Sequence, residues 1–196
     1  MSHTKPALSD PTTHLSPRLP PLVHSATQPP TPFHPQPGIS NFNSALIQDL
    51  LRYAKIIPAC NQIELHPLLP STRLVQYCQY NNIQVVAFSP FGQQSYLAIF
   101  EESKSAQSLL ESEVVKGLGS KYGKTSAQVL LRWSVQRGVA AVPKSTNVQR
   151  LKENLDVFSF VLSDDEMKLL DTFNRGVNVR FNNPGSFAGL QCAIWD

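Results

Sequence analysis

A chain of 196 residues, 41% hydrophobic and 16% charged, suits one soluble globular domain with room for a tail. Its net charge of +3 is too mild to signal nucleic acid, and no apolar run approaches the roughly 18 residues of a membrane span. Cys60, Cys78 and Cys192 form no CxxC and signal neither a disulfide framework nor a zinc site; with no apolar signal-peptide core at the N-terminus, the chain reads as cytoplasmic.

Ten of the sixteen prolines fall in Met1–Pro37, among scattered Ser, Thr and His. Such a stretch has little apolar material to bury and reads as an extended or disordered arm over residues 1–37. Its PxxP spacings, Pro17 to Pro20 and Pro29 to Pro35, match a ligand for an SH3-like groove, but an arm without function is the favoured reading. His3, His14, His24 and His34 lie too far apart to make a metal site.

From Gly38 the chain alternates between strands and helices. Ile39–Phe42 reads as a strand end. Asn43 or Ser44 caps a helix with Leu46, Ile47, Leu50, Leu51 and Ala54 on one side. Cys60–Leu65 is the next strand, and Ser71 caps a second helix that turns Leu74, Val75 and Cys78 inward. Ile83–Phe88 is a third strand. Ser89–Ser112 is long and mixed, as functional loops are. Two helices follow, Glu113–Tyr122 and Thr125–Gln136, separated by Gly123. Val139–Val142 is a short strand stopped by Pro143, and Asn147–Leu155 is a helix. Ser163-Asp164-Asp165-Glu166 is a capping box that opens a last helix through Phe173.

Four strand–helix units imply a parallel sheet covered by helices, with strands apolar on both faces. Gly117-Leu118-Gly119 lacks the preceding strand of a dinucleotide fingerprint and is punctuation between helices. His66 is the one histidine of this part; a structural turn residue and a general base both remain open. No nucleophilic triad appears, and no catalytic residue is assigned.

Polar groups stand at the strand ends: Ser40-Asn41, Asn61-Gln62, Ser89 and the basic turn at Lys144. In a β/α barrel those ends form the active face. Lys144, Ser145 and Thr146 lead into a helix start, and Arg150, Glu153 and Asn154 share one of its faces. Few, convergent cations at a helix N-terminus suit a nucleotide phosphate better than nucleic acid.

Four segments resemble aldo-keto reductases, in that family's order: Gly38-Ile39-Ser40-Asn41-Phe42, Asn61-Gln62-Ile63-Glu64-Leu65-His66-Pro67, Ala87-Phe88-Ser89-Pro90 and Val142-Pro143-Lys144-Ser145. Phe91-Gly92-Gln93-Gln94-Ser95 and Arg180-Phe181-Asn182-Asn183-Pro184 resemble fungal xylose reductases more narrowly. The resemblance covers residues 38–184 and leaves 185–196 as a tail. It implies an α/β fold, a partial TIM-type (β/α)8 barrel made of strands five to eight. It also implies an NADPH-dependent oxidoreductase that reduces an aldehyde or aldose. By the same resemblance Ser40, Asn41 and Gln62 hold the nicotinamide carboxamide. Phe88, where the family more often has Tyr, stacks on the nicotinamide. Ser89 and Phe91 line the pyrophosphate side. Lys144, Ser145, Thr146 and Arg150 hold the 2′-phosphate, with Glu153 and Asn154 near adenine. Ala98 stands where xylose reductases carry a Glu, so NADPH is expected over NADH. Nothing in the arm matches the strands that carry the family's Asp, Tyr, Lys and His. The chain is therefore expected to be inactive alone, or to serve as a non-catalytic nucleotide-binding or interaction module. Four strands leave two open edges, where self-association is expected, and leave Ile63, Val86 and Val142 without an opposite wall.

Overall fold

A computed structural model describes residues 36–96 and 108–182. Ala98, Cys192, the tail at 185–196 and all but the last two residues of the Pro-rich arm lie outside the described residues. Four parallel strands form one sheet in sequential order: β1 (Gly38–Ser40), β2 (Cys60–Glu64), β3 (Gln84–Phe88) and β4 (Ala140–Ala141). Helix α1 (Ser44–Leu51) joins β1 to β2, and α2 (Thr72–Tyr80) joins β2 to β3. A 3-10 turn at Gly92–Ser95, α3 (Glu113–Tyr122) and α4 (Ser126–Gln136) lie between β3 and β4. Helices α5 (Val148–Leu155) and α6 (Asp164–Asp171) follow β4. The sheet is parallel, as the alternation implied, and the arrangement is a half set of (β/α) barrel units, as the resemblance implied.

Period-two alternation divides the sheet into two unlike faces. Asn61, Ile63, Leu65, Val85 and Ala87 are buried with Ile47, Val75, Cys78 and Trp133 in the core. The opposite face carries a registered row, Ser40, Gln62, Val86 and Ala140, and beyond it Glu64 beside Phe88. The expectation of strands apolar on both faces is thus corrected. Ile63 also moves: it faces the helices and is buried, and its burial does not depend on an opposite barrel wall. Val86 is half-buried and Val142 half-exposed.

Local chemistry sets most helix boundaries. Asn43 caps α1 through Oδ1, which accepts from the Leu46 N–H at 2.9 Å. Ser71 stands at the N-cap of α2, where its carbonyl accepts from the Val75 N–H at 2.9 Å, but it sits in the left-handed region at φ 45° and its side chain makes no cap bond. Thr125 and Gln128 form a capping box on α4 that the composition did not advertise. Of the apolar residues expected on the inner side of α1, Ile47 alone is fully buried, and α1 stops at Leu51, short of Ala54. Helix α6 ends at Asp171, two residues before Phe173.

The predicted capping box at Ser163 holds. The Ser163 N–H donates to Glu166 Oε2 at 2.7 Å, and Ser163 Oγ accepts from the Glu166 N–H at 3.3 Å. Glu166 also accepts from Lys121 Nζ and from the Tyr122 hydroxyl, each at 2.6 Å, so it fastens α6 to α3. Burial pushes its carboxyl pKa up, but the bonds from Lys121, Tyr122 and Ser163 outweigh burial and hold it down at about 2. The folded value lies below the unfolded one. The stabilisation is therefore complete above the ordinary carboxylate range and is lost as pH falls from about 4.5 toward 2. Melting temperature is expected to drop across that window in the native chain and to fall less steeply in Glu166→Gln. Equal slopes for the two proteins would remove Glu166 as the acid-sensitive fastening.

Candidate functional site

Strand β4 is short, but the Val142 N–H still donates to the Ala87 carbonyl at 3.0 Å, so the chain leaves the sheet at Pro143. Lys144, Ser145 and Thr146 then turn into α5. Ser145 Oγ accepts from the Asn147 N–H at 3.2 Å, and Asn147 Oδ1 caps the helix by accepting from the Arg150 N–H at 3.0 Å. One turn is thus fixed by two side-chain bonds. It presents Lys144, Ser145 and Thr146 together with the Arg150, Glu153 and Asn154 face of α5.

These six residues and Phe91 line a single cleft of about 650 Å³. Across from them stand Gln94, Leu110, Glu111, and Thr125, Ser126 and Ala127 at the start of α4. Lys144 and Arg150 are exposed and make no ion pair among the described residues, so both cations are available to an incoming anion. Glu153 accepts from Gln149 Nε2 at 3.1 Å and takes no cation. The volume falls within the usual range for small-molecule pockets, about 300–1,000 Å³.

Seven of the twelve expected site residues therefore converge. The other five lie outside this cleft: Ser40, Asn41, Phe88 and Ser89 at or just past the C-terminal ends of β1 and β3, and Gln62 in the middle of β2. The expectation that Asn61-Gln62 stand at a strand end is corrected, since both lie within the ladder and Asn61 is buried on the helix side. Ser40 Oγ donates to the Gln62 carbonyl at 3.1 Å, and the Asn41 N–H donates to the same oxygen at 2.9 Å. Asn41 and Ser89 both have positive φ, 58° and 49°, where the chain turns sharply off the strand. Ser89 Oγ donates to the Tyr96 hydroxyl at 3.1 Å, which draws the 3-10 turn back over the end of β3. Gln62 is exposed and Phe88 half-buried on the face away from the helices.

The cleft wall from the start of α4 and from Gln94, Leu110 and Glu111 escaped the sequence reading. Its residues are a helix start and a loop with no periodicity, and only the Thr125–Gln128 pair could have marked the helix end that points there. A second missed feature is Glu64. It is wholly buried and accepts from the Phe181 and Asn182 N–H groups at 2.8 Å each. His66 is wholly buried in a turn closed with Leu69, with Nε2 3.0 Å from Glu64 Oε1 and its ring 5.5 Å from that of Phe181. Lys121 and Tyr122 both donate to Glu166, at 2.6 Å each. Donation to Glu166, and then burial, push the Tyr122 hydroxyl pKa up. Among the described residues no group of three His, Cys, Asp or Glu could hold a metal, and no helix is long and apolar enough to cross a membrane.

Comparison with known proteins places this geometry. A probable NAD(P)H-dependent D-xylose reductase of Aspergillus niger is 49% identical over 159 residues, 81% of this chain and 49% of that protein. An NADPH-dependent D-xylose reductase of Meyerozyma guilliermondii is 49% identical over 148 residues, 75% of this chain and 46% of that protein. The chain spans about half the length of these relatives. Among solved structures, an aldo-keto reductase complexed with NADPH superposes with a TM-score of 0.71 at 35% identity, covering 81% of this chain and 47% of that one. The aldose reductase of Schistosoma japonicum gives 0.67 at 36% identity, covering 80% and 46%. Residues 36–175 match the aldo/keto reductase family model, and with the parallel strand–helix units and the strand-end residues in their order, this chain belongs to the aldo/keto reductase family.

Proposed function

We propose that this chain is the nucleotide-holding half of a xylose-reductase-like enzyme and that its cleft takes the 2′-phosphate and adenosine of NADPH. The observation that carries this is the convergence of Lys144, Ser145, Thr146 and Arg150, both cations free of carboxylates, on one cleft with Glu153 and Asn154. Charge-assisted bonds from Lys144 and Arg150 meet the phosphate, and the Ser145 and Thr146 hydroxyls complete its shell. Glu153 and Asn154 lie one turn farther along α5, toward the adenine. Ser89 and Phe91 serve the pyrophosphate side. Ser40, Asn41 and Gln62 hold the carboxamide, and Phe88 covers the nicotinamide ring. Bound NADPH supplies a hydride, which in the complete enzyme goes to the carbonyl carbon of an aldehyde or aldose. The segments that carry the resemblance hold no counterpart of the family's Asp, Tyr, Lys and His, so the proton that must accompany the hydride has no assigned donor here. The chain alone binds without turning over. The free thiols of Cys60 and Cys78 suit the reducing cytosol.

Titration calorimetry tests the binding. NADPH is expected to bind more tightly than NADH. A charge-assisted bond contributes roughly 1.5–3 kcal/mol, so Arg150→Ala is expected to weaken NADPH about ten- to a hundredfold and leave NADH nearly unchanged. Equal losses for both cofactors would mean that Arg150 does not read the phosphate. In the same preparation, NADPH with xylose or glyceraldehyde is expected to show no oxidation above buffer. A protein-dependent rate would overturn the inactive reading while leaving the cofactor site standing.

A further inference from the structure

Each helix of a strand–helix–strand unit covers the seam between its two strands, because the crossover is right-handed. Helix α1 buries Ile47 this way and α2 buries Val75 and Cys78, while α4, which precedes β4, buries six residues. Helix α5 buries none. It follows β4, and among the described residues no strand lies beyond β4 for it to cover. Yet α5 is amphipathic: Val148, Leu151 and Leu155, at i, i+3 and i+7, form an apolar stripe on the side away from Arg150, Glu153 and Asn154. Val148 is 67% and Leu155 79% exposed. The other end of the sheet is also uncovered. The outer edge of β1 is unpaired among the described residues, and Tyr53, Ile56 and Ile57, in the segment between α1 and β2, are exposed.

The two open ends fit each other. All four strands are parallel, so a second copy turned about a two-fold axis along the sheet's strand direction presents its β1 to this β4 in the parallel sense, and its β4 to this β1. Four and four strands make the eight of a closed parallel barrel, with two identical seams and no edge left. We propose that two copies of this chain close into one eight-stranded barrel, the β1 of each lying beside the β4 and beneath the α5 of the other. A second copy is the occupant because the two-fold brings four more parallel strands with the same two open ends, so that both edges close in one step through identical seams. It also restores an opposite wall to the row Ser40, Gln62 and Val86, which otherwise faces solvent. The pairing does not depend on the cofactor reading, since the apolar stripe and the cleft lie on different faces of α5.

The test is the solution mass of the full chain by size-exclusion chromatography with light scattering, together with helix content by circular dichroism. The native chain is expected at twice its own mass. Leu155→Lys, at an exposed position, is expected to abolish the doubling. Tyr80→Lys, at an 85% exposed apolar position on α2, between the middle strands, is expected to leave it intact. Loss of the doubled mass at Leu155 and not at Tyr80, with or without loss of helix content, supports the closed pair. A monomeric native chain would mean that another segment of the same chain covers the edges. Larger polymers would mean open stacking, and a doubled mass that survives Leu155→Lys would place the contact elsewhere. Any of these three overturns the proposal.

Discussion

Glu64→Ala is expected to destabilise the chain by roughly 3–5 kcal/mol, the scale for removing one member of a buried polar cluster that holds its partners. The carboxyl group is wholly buried and takes the Phe181 and Asn182 N–H groups at 2.8 Å, with His66 Nε2 at 3.0 Å. Alanine leaves all three without this partner, His66 wholly buried and the two amides half-buried. The loss also frees a long connection, because Phe181 lies 117 positions from Glu64 in the chain. Urea unfolding measures the stability, and hydrogen exchange at Phe181 and Asn182 measures the fastening directly; both amides are expected to lose protection. Glu64→Gln keeps one acceptor oxygen and should lose less. A loss below about 1 kcal/mol in Glu64→Ala, the size of one ordinary hydrogen bond, would show that water replaces the carboxyl group and that the segment is held by Val179 and its neighbours instead.

Trp133→Ala is expected to lower stability by about 3–5 kcal/mol through a different cause, the cavity left in a close-packed core. Trp133 is fully buried at the centre of α4, among the core residues of the sheet's helix side. Its Nε1–H donates to Asp171 Oδ1 at 2.9 Å, and the Arg137 guanidinium lies 4.4 Å from its ring centre. The ring thus joins α4 to the end of α6 and orders the Arg137–Asp171 contact. Trp133→Phe retains most of the volume and gives up the bond to Asp171, so a loss nearer 1 kcal/mol is expected. Similar losses for Phe and Ala would show that the bond, not the packing, carries the site. Either alanine variant removes a large part of the 5–15 kcal/mol typical of a domain, so both are best measured by equilibrium unfolding and not by yield.

What could be read from the sequence was what short-range chemistry decides. Strand–helix alternation, the Asn43 cap and the Ser163–Glu166 box each depend on residues within a few positions of one another, and each stands as expected. The Lys144–Asn154 face was legible for the same reason: three- and four-residue spacing on a helix places side chains together whatever the rest of the chain does. The opposite cleft wall, from Gln94, Glu111 and Thr125, depends on how a long loop returns, and no local pattern encodes that. Glu64 was visible as a letter in a motif but not as an anchor, because its partners are backbone amides far along the chain. Ile63 was placed on the wrong face because alternation fixes which residues share a side, not which side meets the helices. Ser71 marks the start of α2 as expected, but its left-handed backbone comes without the side-chain bond that a serine cap usually makes.

Helix α5 is a single eight-residue rod whose one side borders the cleft and whose other side carries the uncovered apolar stripe. Two equilibria therefore share one mechanical element. A ligand that stiffens or tilts the rod from the cleft side changes the fit of whatever lies beneath the stripe. By linkage, covering the stripe changes the affinity of the cleft by the same factor. With a nucleotide in the cleft and a second copy on the stripe, as proposed above, nucleotide and protein concentration would not be independent variables, and a binding isotherm measured at one loading of protein would describe that loading alone.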